Sequence, residues 1–177
     1  MRIINGYLSG RKPVLPKNLQ ARPTTDRARE SLFNILRNRL DFEDCRVLDL
    51  FSGTGSISYE FASLGCRDIT CVERDRIHCA AIRKNIEILD IQTIRLIETD
   101  VFNFLKKGVH PFDAIFADPP YDHPQLTHLP SLIIGQHKLA PDGVFILEHG
   151  PSVSFKEYPG FVEMRQYGKV HFSFFSD

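Results

Sequence analysis

The chain lacks the features that mark several protein classes. No stretch approaches the roughly 18 consecutive apolar residues that a membrane helix needs, so nothing reads as a span. Arg2 and Ile3 lead into polar residues rather than into the apolar core of a secretory signal, and a cytoplasmic protein is expected. Cysteine is sparse: Cys45, Cys66, Cys71 and Cys79 form no CxxC, and reduced, mostly buried thiols are expected of them. None of the seven histidines makes HExxH or a paired Cys/His spacing, so no metal site is expected. There is no internal repeat or low-complexity segment. Net charge is also absent, with 22 basic against 22 acidic residues. What remains is ordinary globular composition, 42% hydrophobic and 25% charged, which excludes disorder, collagen and coiled coil as the main architecture. At roughly 100–200 residues per domain, the 177 residues make one domain, 1–177.

The balanced charge hides an asymmetry. Residues 1–40 hold nine Lys/Arg and two acids, a net +7, which leaves −7 on the remainder. A basic arm on an acidic body suggests nucleic acid on one side, although a solvated basic helix face gives the same count.

Residues 2–8 and 11–15 flank Ser9-Gly10 and read as a small hairpin, with Pro13 suggesting an edge. Two prolines make 16–23 a loop. From Thr24 a helical period begins, with Ala28, Leu32, Phe33, Leu36 and Leu40 on one face and Arg27, Arg29, Arg37 and Arg39 largely off it. Short strands then alternate with helices: strands at 46–50, 69–73, 94–97, 112–117 and 144–148, helices after Gly55, over 75–89, around 101–105 and around 125–139. Pro141-Asp142-Gly143 reads as the turn into the fifth strand. Residues 161–166 and 170–175, separated by Tyr167-Gly168-Lys169, read as an antiparallel hairpin. The alternation predicts an α/β protein with a parallel sheet covered on both faces, closed on one edge by that hairpin. Phe172, Phe174 and Phe175 are expected in the core.

Ligands of such sheets bind at the carboxyl ends of the strands, and three unusual segments fall there. In Asp49-Leu50-Phe51-Ser52-Gly53-Thr54-Gly55, glycines let the backbone approach a ligand and the next helix offers free N–H groups. Glu73 ends the second strand, where an acid can accept from ribose hydroxyls; Arg74 follows it. Asp100 follows the third strand, placed to accept from an adenine amine, with Val101 lining the base pocket. Ser58 replaces the third glycine of a dinucleotide fingerprint. Asp49 suits a positive centre better than a pyrophosphate. A nucleoside with a cationic centre and no phosphate is S-adenosylmethionine. The same turns could belong to an α/β protein that binds no nucleotide.

Asp118-Pro119-Pro120-Tyr121 follows the fourth strand. Two prolines remove two donors and stiffen the turn. The Asp118 carboxylate and Pro119 carbonyl can converge on an exocyclic amine, and the Tyr121 ring can stack on a planar base. A rigid strand-to-helix turn is the plain alternative. His123 nearby reads as a surface histidine, and Glu148-His149-Gly150 faces the same side without an assigned role.

Together these segments resemble class I S-adenosylmethionine-dependent N-methyltransferases. Arg2-Ile3-Ile4-Asn5-Gly6, Arg22 to Glu30, Leu48 to Gly55, the DPPY tetrad and Tyr167-Gly168 narrow the resemblance to the RsmD family of 16S rRNA guanine-N2 methyltransferases. It spans nearly the whole chain; Asn5 stands where members often carry glycine. The resemblance implies a Rossmann-like, seven-stranded, mostly parallel sheet ending in an antiparallel hairpin. It implies S-adenosylmethionine bound by Asp49, Phe51, Gly53, Gly55, Glu73, Arg74, Asp100 and Val101, and catalysis at Asp118, Pro119, Pro120 and Tyr121. It makes 1–40 an RNA-binding extension, with Arg2, Arg11, Lys12, Arg22, Arg27 and Arg29 as candidate contacts. The expected partner is 16S rRNA, within the 30S subunit or an assembly intermediate. A DNA adenine-N6 methyltransferase shares the tetrad but usually needs a separate recognition region. A non-catalytic RNA-binding module would be expected to have lost the tetrad or the glycine loop.

Overall fold

The computed structural model describes residues 1–16, 25–108 and 110–177. Seven strands form one sheet: β1 (Arg46–Leu50), β2 (Asp68–Glu73), β3 (Ile94–Glu98), β4 (Phe112–Ala117), β5 (Leu139–His149), β6 (Phe161–Tyr167) and β7 (Val170–Phe175). Their order is β3-β2-β1-β4-β5-β7-β6. The first five are parallel, and β7 is antiparallel to both β5 and β6. The chain runs outward from β1 to β3 and then crosses back to β4 beside β1. That reversal opens a crevice at the carboxyl ends of β1 and β4.

Helices cover both faces: α1 (Asp26–Leu36), α2 (Ser56–Ser63), α3 (Arg76–Ile88), α4 (Val101–Leu105) and α5 (Leu129–Ile134), the last preceded by a 3-10 turn at Leu126–His128. The strand pattern explains why both faces need cover. Val47, Cys71, Ala114, Phe116 and Ile146 belong to one core, and Leu48, Leu50, Val72, Ile115 and Leu147 to the other. Alternate residues point to opposite faces and both are apolar, as in a doubly covered parallel sheet. Phe172, Phe174 and Phe175 are fully buried, and all four cysteines are buried. Helix α2 ends at Ser63, with Gly65 following its C-cap at φ 99°. No helix among the described residues is long and apolar enough to cross a membrane.

Several local elements differ from those expected. The N-terminal hairpin does not form as strands. The segment does double back, with Ile3 N–H donating to Arg11 O and Gly10 N–H to Ile3 O. Four of its other backbone donors are claimed by α2, however. Ile4 and Asn5 N–H donate to the Glu60 carboxylate, Tyr7 N–H to Ser63 O and Leu8 N–H to Ser63 Oγ. Helix α1 stops at Leu36, short of Leu40. The helix expected around 125–139 shrinks to the 3-10 turn and α5. The turn at 141–143 is absorbed into β5 as an irregularity opposite Phe112/Ala114, with Asp142 at φ 63°.

Arg29 departs furthest from the expected arrangement. It is not on a solvent-facing side of α1 but is fully buried against α2. Its Nε donates to Glu60 Oε1 at 3.1 Å, and its Nη2 donates to Asp26 Oδ1 at 3.0 Å and to Arg2 O at 2.5 Å. An RNA phosphate cannot reach it there. Arg2, Arg11, Lys12 and Arg27 are exposed, while Arg22 lies outside the described residues.

Candidate active site

The carboxyl ends of β1, β2, β4 and β5 surround a cavity of about 630 Å³. Its first wall is the loop after β1. Phe51 takes a positive φ of 56°, Ser52 N–H donates to Val72 O at 3.1 Å, and Gly55 N–H returns to Ser52 O at 2.7 Å. Gly55 itself does not line the cavity. It sits at φ 81° as the N-cap of α2, where a Cβ would come within 2.8 Å of the Tyr59 ring. Phe51 and Gly53 do line the cavity.

Glu73 holds this loop in place. Its Oε2 accepts from Gly53 N–H, and its Oε1 accepts from Arg74 and Asp75 N–H, each at 2.8 Å. Two carboxylate oxygens offer about four acceptor sites, so three backbone bonds leave one for a ribose hydroxyl rather than two. Asp49 lies deeper. It is 1% exposed, and its Oδ2 accepts from Ser58 Oγ at 2.6 Å and Ser58 N–H at 3.2 Å. Burial pushes its carboxyl up to about 7, against the pull of the Ser58 hydrogen bonds. A cation in the cavity would favour its charged form.

Asp100 does not itself line the cavity and carries a capping task besides the one expected of it. Its Oδ1 caps α4 through Asn103 N–H at 3.1 Å and its Oδ2 lies 3.7 Å from Arg74 Nη1. Thr99 and Val101 line the cavity on either side of it, as does Arg74.

The opposite wall is the tetrad after β4. Asp118 N–H donates to Leu50 O at 3.4 Å, which ties the turn to β1. Burial, followed by the Glu148 and Asp49 carboxylates, raises the Asp118 carboxyl well above its ordinary range. Pro119 is buried and Pro120 exposed. Tyr121 keeps 41% of its surface exposed, and its hydroxyl donates to Glu148 Oε1 at 3.2 Å. His123 is not a plain surface residue, since its ring stacks on Phe102 at 5.2 Å and meets Phe51 edge-on at 5.8 Å.

Glu148 is the cavity residue that sequence reading left without a role. Its signal was present: like Asp49 and Glu73, it is an acid at or near the carboxyl end of an apolar parallel strand. The donor set fits S-adenosylmethionine. Asp49 offers an anion to a positive centre, Glu73 a remaining acceptor to a ribose, and Phe51, Ile57 and Val101 apolar surface to a base.

A family model described as conserved hypothetical protein 95 matches residues 1–176. Ribosomal RNA small subunit methyltransferase D of Escherichia coli K12 is 32% identical over 148 residues, covering 84% of this chain and 74% of its own. The chain belongs to this family. Membership makes it a methyltransferase with S-adenosylmethionine as cofactor. A hypothetical protein of Thermus thermophilus matches the whole fold of this methyltransferase D family member, with TM-score 0.87, 27% identity and coverage of 100% of this chain and 99% of that one. The T. thermophilus 16S rRNA N2 G1207 methyltransferase, solved with AdoMet and guanosine, shares the fold at TM-score 0.68 and 24% identity, over 89% of this chain and 44% of that one.

Proposed function

We propose that this methyltransferase D family member methylates the exocyclic N2 amine of a guanine in 16S rRNA, presented within the small subunit or an assembly intermediate. The observation that carries the reading is the shared cavity. The Asp118 tetrad and the Asp49–Glu73 wall face one space, so an amine and a methyl donor can meet there. The guanosine complex of the T. thermophilus enzyme of the same fold supports the choice of base.

The cofactor, when bound, supplies an electrophilic methyl group. The protein supplies orientation. The Asp118 carboxylate and Pro119 carbonyl accept the two amine protons and turn the nitrogen lone pair out of conjugation with the ring. Burial and the neighbouring carboxylates raise the proton affinity of Asp118, so once ionised it is a good acceptor for the proton that the amine sheds. The half-exposed Tyr121 ring stacks on a base that has left its helix. Arg2, Arg11, Lys12 and Arg27 hold phosphates, which adds affinity without reading sequence.

The test is labelled methyl transfer to 16S rRNA and to 30S particles from a strain lacking the enzyme, followed by nucleoside analysis. N2-methylguanosine is expected. N6-methyladenosine, or no transfer to either substrate, would overturn the reading.

A further inference from the structure

The reaction proposed above uses three groups of the tetrad and assigns no part to the Glu148 carboxylate, which faces the same cavity. Glu148, near the end of β5, is 3% exposed and lines the cavity with Asp118 and Tyr121. Its Oε1 accepts the Tyr121 hydroxyl at 3.2 Å. Two residues on, Gly150 supplies clearance for the same ring, because a Cβ there would lie 2.7 Å from Tyr121 Cδ2. The end of one strand therefore sets both an acid and a stacking surface beside the amine-binding corner.

We propose that Glu148 selects guanine: its carboxylate accepts the base N1–H, while its contact with the Tyr121 hydroxyl fixes the ring that stacks on that base. The inference rests on the guanine-N2 reading and deepens it. On guanine, the N2 amine and N1–H are adjacent donors on one edge. Asp118 and Glu148 present two adjacent acceptors to them. Adenine and cytosine place an acceptor nitrogen beside their amine, so a carboxylate at that point meets a lone pair. The tetrad alone tolerates any planar amine, and Glu148 narrows the choice.

The probe is 2-aminopurine, which keeps the 2-amine but has a lone pair in place of N1–H. Once the target guanine is mapped, 16S rRNA carrying 2-aminopurine at that position is compared with native RNA, both assembled into 30S particles, in single-turnover methylation. A site built around a substrate N–H rejects an analogue lacking it by about 10²-fold or more, and the wild-type protein should prefer guanine by that factor. Glu148→Gln, whose amide can donate to a lone pair, should lose on guanine and narrow the ratio to about tenfold or less. Its cofactor affinity by calorimetry should stay near wild type. Equal rates on the two substrates with the wild-type protein would overturn the proposal, and that comparison decides even if the variant folds poorly. A Glu148→Gln protein slowed by one common factor on both substrates would reduce Glu148 to a structural part. A wild-type protein that methylates no guanine at all would sink the guanine reading along with this inference.

Discussion

A carboxyl buried without a cation holds its proton, and Asp49 is in that position. Its folded pKa of about 7 lies above the ordinary 3.8. The group binds more protons in the folded state, so the stability it contributes is full below pH 3.8 and is lost as pH rises through about 7. A shift of that size corresponds to a loss on the order of 4 kcal/mol across the window. Urea denaturation of the cofactor-free protein at a series of pH values should show it, and Asp49→Asn should flatten it. Cofactor affinity should move the other way and strengthen as pH rises through about 7, because the charged carboxylate meets the positive centre. At the opposite wall, Asp118→Ala should leave cofactor binding near wild type and lower single-turnover methylation by about 10²–10³, by analogy with the loss of one oriented oxyanion-hole group. Near wild-type turnover would mean that other groups orient the amine. Asp49, Glu73 and Asp118 were legible in sequence because each is an acid at or beside the end of an apolar strand, where solvation alone does not explain it. Arg29 was not, because its partner Glu60 lies 31 residues away on another helix. Nor could spacing tell that the Asp100 carboxylate would also cap α4 through Asn103 N–H.

At the scale of elements, α2 joins the Asp49 wall of the site to the N-terminal segment. Ser58 near its start holds Asp49, Glu60 in its middle holds Arg29 with Ile4 and Asn5, and Ser63 at its end holds Tyr7 and Leu8. The helix is buried from Ile57 to Ser63, so its polar side chains have a job only inside the protein. Glu60→Ala leaves the Arg29 guanidinium buried without its main anion, and breaking a buried pair this way costs about 3–5 kcal/mol. Chemical denaturation should read that loss. Hydrogen exchange should show early opening at the Ile4 and Asn5 amides, whose acceptor is gone. A loss under about 1 kcal/mol would mean that water replaces the carboxylate, as at an exposed pair. The strands were legible from short apolar runs. The N-terminal segment was not, since its backbone pairs with side chains of α2 and no local pattern encodes that demand.

Across the whole molecule, the alternation of strands and helices was enough to fix a parallel sheet with a closing hairpin, since crossover connections leave few alternatives. The disposition of the basic arm was less legible, because charge counts ignore burial. With Arg29 inside, the exposed candidates in the described part of the arm are Arg2, Arg11, Lys12 and Arg27. Reversing the charge at Arg11 and Lys12 should weaken rRNA binding and lower the slope of log K against log salt by about 2, one phosphate contact for each residue. Cofactor affinity should not change. An unaltered salt slope would make these residues a solvated face.

The order β5-β7-β6 also governs how a nascent chain can finish folding. Strand β6 is made before β7 yet reaches the sheet only through it. Until Val170–Phe175 has left the ribosome, β5 keeps an open apolar edge, and the places of Phe172 and Phe174 in one core and of Phe175 in the other stay empty. Such an edge is a template for pairing with other chains. Stop codons anywhere before Val170 should therefore yield not a trimmed enzyme but an aggregating one, dependent on chaperones from the moment of its release.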